Sequence, residues 1–574
     1  MTIAASAPQV SRRSFGFDVS KPILLVFAAI LCVLIVLPIS WLVYYAFTDA
    51  KGAFTVANFY RLVSDSAFLD PLLTTFMLAI FSACICCAVA APMGWLVSRT
   101  DMPLRRTVRL LVTASFVTPP FLGAIAWELL AAPNSGLLNQ LFRDLTGAAS
   151  DEHLLNIYSF SGLVFVISCY TFPYVFVLIA NALDRTPGDL EDASAMLGAG
   201  TWYTARRVTI PLALPAVLAG ALVAFLQAMT LFGSPAILAM PAGFHTMTTK
   251  IWSLFQFPPK PELAAAASLP LLVLTVLLLR GQAMILGRRG FSVVGGKNSE
   301  PRLVRLGRYR WPAVTLAMIV LACPVFLPYF ALLNASFSTV ASHLVSVSNF
   351  TLQHLHFVFF ELSATDLVLR NTFTLGVLTA TIGTLIALVI SYVTARQAVT
   401  GHAALGFLAT APIAIPGIVL GVGLFFSYTR PPFVLYGTLW ILLIAYVTLA
   451  MPAAYQQMQS AFHAVHPELE DASRILGATR MRSLLQITAP LLRTNVVAVW
   501  CFIFVGVIRE LSAAIMLFTS QTKVLSVLIY DLNESGDLAA ISVLGLCMLI
   551  ITSLIVLLAN KLTRLGGRPA AAGI

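Results

Sequence analysis

Charge is what this chain lacks most. Lys, Arg, Asp and Glu make up 10% of its 574 residues, against 59% hydrophobic ones. A water-soluble fold cannot hide that much apolar surface, so an all-α polytopic membrane protein is expected. Cysteine is sparse as well. There are eight, all in apolar runs or at their edges, and no outer loop holds a pair, which excludes a disulfide framework. Cys84, Cys86 and Cys87 read as small buried filler rather than a metal site. No Gly-x4-Gly-Lys-[Ser/Thr] phosphate loop occurs: Gly296-Lys297-Asn298 lacks both the upstream glycine and the hydroxyl. HExxH, a pair of CxxC motifs and GxSxG are also missing. The chain is therefore not expected to hydrolyse ATP alone, and no polar catalytic cluster marks an integral-membrane enzyme. No cofactor and no metal are expected. The alternating ten-residue pattern of a transmembrane barrel is absent too.

Long apolar runs are abundant. A bilayer core takes about 20 apolar residues per helix, and twelve such runs lie between 23–47 and 539–562. Helices are expected, because each satisfies its own backbone hydrogen bonds in lipid. The net charge of +11 raises the question of nucleic acid, but its distribution answers it. With residue 1 placed in the cytoplasm, inner loops and tails hold 26 Lys/Arg and outer ones 9, Arg509 included. That bias places both termini in the cytoplasm of a multi-pass inner-membrane protein. The basic block from Arg280 to Arg310 reads as an anchor on inner-leaflet lipids. Ser11-Arg12-Arg13 precedes the first run with no small-residue cleavage site, so a retained first helix is expected. Prolines fall mid-run in the third span (Pro119-Pro120) and the ninth (Pro412, Pro416), where kinks are expected. The outer loops are too short for a globular domain, which leaves solute capture to another protein.

One polar segment occurs twice. Leu190-Glu191-Asp192-Ala193-Ser194-Ala195-Met196-Leu197-Gly198-Ala199 returns as Leu469-Glu470-Asp471-Ala472-Ser473-Arg474-Ile475-Leu476-Gly477-Ala478, 279 residues on. The match extends to Thr209-Ile210-Pro211-Leu212 and Thr488-Ala489-Pro490-Leu491, with eleven of 23 positions identical. The offset spans six runs, an even number, so both copies share one face of the membrane and the repeat is parallel. Each copy reads as helix, stop, helix. Thr186 caps, Pro187 suits the first helical position and Asp189 the capping box. Leu190, Ala193 and Leu197 form one stripe, and Gly198 ends the helix. Pro467, Leu469, Ala472, Leu476 and Gly477 do the same in the second copy. Such a helix offers short acidic and small side chains to a partner, and two copies on one face point to two copies of that partner. The alternative is an interfacial helix tucked under the bundle.

Few polar residues lie within the spans. Arg509 and Glu510 are adjacent opposite charges near the outer end of the eleventh, open to reading as a gate, a binding-protein contact or a structural ion pair. Gln227 in the fifth is a candidate for a pathway wall. His343, His354 and His356 in an outer loop read as solvated histidines rather than a metal relay.

Glu-Asp-Ala-Ser-x-x-Leu-Gly-Ala followed by Thr-x-Pro-Leu resembles the EAA motif of importer permeases of the ATP-binding cassette superfamily. The second residue departs from the usual Ala: here it is Asp192 and Asp471. The resemblance implies a type I, MetI-like permease of about 12 helices in two parallel six-helix repeats. It implies coupling helices that seat in two copies of an ATPase, with Glu191, Asp192, Ala193, Leu197, Gly198, Glu470, Asp471, Ala472, Leu476 and Gly477 as their residues. It also implies a solute-binding protein on the other face. The duplicated single-chain form, Phe232-Gly233-Ser234-Pro235 and Arg509-Glu510-Leu511-Ser512-Ala513 resemble ferric-iron permeases. Permeases for thiamine, 2-aminoethylphosphonate and sugar phosphates look similar. An ion-coupled secondary transporter is the rival, and would be expected to carry ionisable residues mid-span. The expected organisation is an N-terminal helix and loop (1–69), a first permease domain (70–286), a basic linker (287–311), a seventh helix and loop (312–365), a second permease domain (366–563) and a tail (564–574).

Overall fold

The computed structural model describes residues 20–149, 151–186, 188–287, 303–397 and 400–565. Ser11-Arg12-Arg13, Pro187, most of the linker and most of the tail lie outside them. The first half runs through α1 (Leu24–Ala46), α2 (Ser66–Arg99), α3 (Arg105–Ser115), α4 (Pro120–Ala131) and α5 (Phe160–Arg185), then the short α6 (Asp189–Met196). It continues with α7 (Trp202–Thr230), the short α8 (Gly233–Leu238) and α9 (Met247–Ser253), and α10 (Pro261–Gln282). The second half repeats the order: α11 (Gly307–Phe337), α12 (Ala364–Ala395), α13 (His402–Ala414), α14 (Gly417–Tyr428), α15 (Leu439–His463) and α16 (Glu468–Ile475). It ends with α17 (Leu484–Arg509), the short α18 (Ala514–Leu517), α19 (Leu525–Ser535) and α20 (Leu538–Ala559). Among the described residues ten helices are long and apolar enough to cross a membrane, and the spans number twelve when each of two bent pairs counts as one. The short α6 and α16 share one face, called here the motif face; α8, α9, α18 and α19 lie on the far face.

The two prolyl spans are broken rather than kinked. α3 and α4 meet at 101°, α13 and α14 at 109°. A residue before proline is driven out of the helical region, and tandem or closely spaced prolines extend that effect over several residues. Pro119 (ψ 140°), Ile415 (ψ 111°) and Pro416 (ψ 143°) are all extended, so the helix stops and restarts in a new direction.

Each half begins with a helix that packs on the other half. In α1, Tyr45 stacks on Phe426 of α14 at 4.1 Å, and Tyr428 Oη donates to the Val33 carbonyl. In α11, the Cys323 carbonyl accepts Trp127 Nε1 of α4, and Tyr329 shares a 2.7 Å hydroxyl hydrogen bond with Thr118. Both helices carry a π turn, Cys32–Val36 and Ala322–Phe326, followed by Leu-Pro. The bulge frees carbonyls beside the proline, which cannot donate to them. The exchange makes one bundle of two sequence repeats.

The end of the linker is fastened to the motif face. Val304 donates to the Arg99 carbonyl and accepts from Asp101 N–H. Asp101 accepts from Leu306 N–H and pairs with Arg310. These partners hold its carboxyl below the usual carboxylate range, Arg310 most of all.

Candidate functional site

The repeated segment forms two short helices, and the geometry of each divides its residues in two. The motif acid turns inward. Glu191 is buried and accepts from Thr209 Oγ1 at 2.6 Å, with Arg99 Nη1 at 3.5 Å from its other oxygen. Arg99, 1% exposed, also donates to the carbonyls of Leu183 and Thr186 at 2.7 Å each, at the end of α5. The second copy matches: Glu470 accepts from Thr488 Oγ1 at 2.9 Å and from Arg396 at 3.0 Å, while Arg396 donates to the Val465 carbonyl. Ser194 bonds Thr204 and Ser473 bonds Ser483, tying one short helix to the start of α7 and the other to the residue just before α17. A buried acid held by an arginine and a threonine fixes the angle of the short helix against the bundle.

The apolar residues turn outward. Leu197 is 89% exposed and Leu476 88%, each beside an exposed Met196 or Ile475. Leu190, Leu469, Ala193 and Ala472 are exposed as well, as are Asp192 and Asp471. Gly198 (φ +84°) and Gly477 (φ +93°) end the helices in the left-handed region. Ala199 N–H returns to the Ser194 carbonyl and Ala478 N–H to that of Ser473, the closed C-terminal form such a glycine permits. Nothing lies within 4 Å of where a Cβ would stand on either glycine. Isolated exposed apolar side chains are ordinary, but here the same apolar knob, on the same rigid mount, stands twice on one face.

The sequence pattern pointed to acidic and small side chains facing a partner. Of these residues the structure exposes Asp192, Asp471, Ala193 and Ala472 along with the leucines, and buries Glu191 and Glu470. Arg99 and Arg396 were missed altogether. They are equivalent at an offset of 297 rather than 279, because 28 residues separate α4 from α5 and only 10 separate α14 from α15. A search fixed on the 279 repeat cannot align them.

Arg509 and Glu510 do not hydrogen-bond to each other. Arg509 donates to the Thr118 carbonyl of the first half at 3.4 Å, and its Nε is buried without an acceptor. Glu510 accepts from Ala513 N–H at 2.9 Å and lies against Gly417, the first residue of α14, where the helix dipole favours negative charge. Gln227 is exposed on α7, and its equivalent on α17 is Gly506, with open space around it. At the far face the halves touch. Leu511 lies beside Gly233, Asn533 donates to Glu128 at 3.1 Å, and Tyr530 packs against Phe232 and Trp252. Tyr158 Oη donates to the other Glu128 oxygen at 2.7 Å. His354 bonds the Ser338 carbonyl and His356 bonds Glu361. No cluster of His, Cys, Asp and Glu able to hold a metal occurs among the described residues.

The model of the binding-protein-dependent transport system inner membrane component matches residues 90–289 and again 387–565. The chain belongs to this family. It is a multi-pass inner-membrane permease of the ABC importer type, with the fold present twice. It is 24% identical over 448 residues to the ferric transport system permease protein FbpB of Actinobacillus pleuropneumoniae, covering 77% of this chain and 63% of that one. It thus spans less than two thirds of that relative's length. It is 29% identical over 224 residues to the molybdenum transport system permease protein ModB of Mycobacterium tuberculosis, covering 39% of this chain and 82% of that one. A crystal structure of a bacterial ABC transporter involved in the import of the acidic polysaccharide alginate aligns over 47% of this chain and 96% of that one, at 15% identity and a TM-score of 0.40.

Proposed function

We propose that the permease passes a solute, delivered by a separate binding protein at the far face, through the gap between its halves, and that two ATPase subunits on the motif face drive it. The observation that carries this reading is the pair of exposed apolar knobs, Met196-Leu197 and Ile475-Leu476, mounted on buried Arg–Glu–Thr anchors. The surplus of Lys and Arg on this side supports a cytoplasmic motif face, where an ATPase would dock. The permease domains are taken as 70–286 and 366–563, and Glu191 and Glu470 hold the coupling helices rather than meeting the partner. Ferric iron is the proposed cargo, supported by the FbpB likeness over most of the chain; the ModB likeness supports molybdenum instead. A cycle follows. Closure of two ATPases on ATP draws α6 and α16 together, the halves rock, the far face opens, and hydrolysis restores the present arrangement.

The test is co-purification with the ATPase encoded beside this chain. Leu197→Asp with Leu476→Asp changes two side chains that touch almost nothing within the fold. The double variant is expected to keep its thermal midpoint and lose the ATPase. Retention of the ATPase at wild-type yield would remove the coupling assignment.

A further inference from the structure

Helix α17 turns a charged side chain toward the first half. On α17, Asn495, Phe502, Gly506 and Arg509 recur at helical spacing on one stripe, each wholly or partly exposed. That stripe faces the first half, because Arg509 at its far end reaches Thr118 at the break between α3 and α4. The equivalent stripe on α7 is Ala216, Val223, Gln227 and Thr230, which is neutral. Other charged side chains toward the far face are hydrogen-bonded or paired. Glu510 is turned to Ala513 N–H at the start of α14. Both oxygens of Glu128 are taken by Tyr158 and Asn533. Lys523 pairs with Asp531. Arg509 has a single 3.4 Å hydrogen bond and a buried Nε with no acceptor. A guanidinium carries five donors and stays protonated, so this one is under-bonded at the contact between the halves near the far face.

We propose that Arg509 is a specificity-determining residue of the pathway, and that the cargo crosses as an oxygen-rich anion, a free oxyanion or a ferric ion enclosed by anionic ligands. The inference rests on the importer reading above and narrows its cargo. A bare ferric ion would meet a fixed positive charge in a site of low dielectric, where the neighbouring Glu510 carboxylate is turned to the Ala513 N–H. An anion would supply the acceptors that Arg509 lacks, with the Gln227 and Asn495 amides as neutral neighbours along the walls.

The experiment reconstitutes the chain with its neighbouring ATPase and binding protein in proteoliposomes. Uptake is measured for radioiron added as ferric citrate, radioiron added without an anion, molybdate and 2-aminoethylphosphonate. Whichever anionic probe is carried, Arg509→Gln is expected to lower its uptake about tenfold or more below saturation, the size of a lost hydrogen bond to a charged group. Arg509→Lys should restore most of it. Gln227→Glu, an exposed change that keeps Arg509 in place, should also lower it. Arg509→Glu should move the ratio of bare iron to ferric citrate toward bare iron. Wild-type anion uptake in Arg509→Gln overturns the proposal. So does an equal loss for every probe, which is what a purely structural contact predicts, and so does bare iron carried as fast as ferric citrate. If the ATPase does not co-purify, the importer reading itself fails, and that result is obtained before any uptake is measured.

Discussion

At the scale of residues, each of the two proposed coupling helices depends on one buried carboxylate. Glu191 and Glu470 sit among threonine, arginine and carbonyl groups. Removing one partner of a buried ion pair strands the other, at roughly 3–5 kcal/mol. Arg99→Ala is therefore expected to lower the thermal midpoint and weaken ATPase binding together, measured by thermal unfolding and co-purification. Glu191→Gln, which can still accept from Thr209, should do less harm. If Arg99→Ala leaves both readouts unchanged, the clamp has no mechanical part. The glycines make a different prediction. At Gly198 and Gly477 the space is open but the backbone is left-handed, which costs a β-branched residue about 1–2 kcal/mol. Gly198→Val with Gly477→Val should re-aim the exposed leucines and reduce ATPase stimulation about tenfold, with insertion into the membrane intact. Stimulation at the wild-type level would show that the helix ends need no left-handed residue.

At the scale of elements, the sequence made the helices legible and their mounting obscure. Twelve apolar runs and the doubled segment fixed the spans and the parallel repeat, because hydrophobic length and a constant offset are local signals. Three features escaped. The breaks at Pro119 and Pro416 looked like kinks, since the number of residues that leave the helix depends on what each piece then packs against. Arg99 and Arg396 fell out of register through a difference in loop length on the far side of the membrane. The direction of Glu191 could not be read from the apolar stripe, since a short surface helix has one face toward the bundle and another toward solvent, and the motif has apolar and acidic residues for both. The linker attachment at Val304 and Leu306 was equally hidden, resting on backbone hydrogen bonds. Asp101→Asn is expected to loosen it, seen as faster amide exchange at residues 303–310. Because Arg310 and Leu306 hold the Asp101 carboxyl down, its contribution is full above the ordinary carboxylate range and is lost only as pH falls through the depressed value. Exchange at these amides should thus stay slow under mildly acidic conditions; early acceleration there would contradict the assigned pairing.

At the scale of the whole molecule, two repeats are bound by exchanged first helices and meet at the far face. Glu128–Asn533, Arg509–Thr118 and the Phe232–Trp252–Tyr530 rings cross between the halves there. In the proposed cycle these contacts part when the far face opens, so Glu128→Ala with Asn533→Ala should raise ATP hydrolysis in the absence of binding protein, while an unchanged basal rate would place the closure elsewhere. The central claim is that two ATPases on α6 and α16 are driven by a loaded binding protein on the opposite face. The most direct measurement is ATP hydrolysis in proteoliposomes holding this chain and its neighbouring ATPase, with the binding protein added outside, loaded or empty. The account predicts stimulation by the loaded binding protein that disappears in Leu197→Asp/Leu476→Asp. Hydrolysis indifferent to the binding protein, or stimulation that survives those two substitutions, would contradict it.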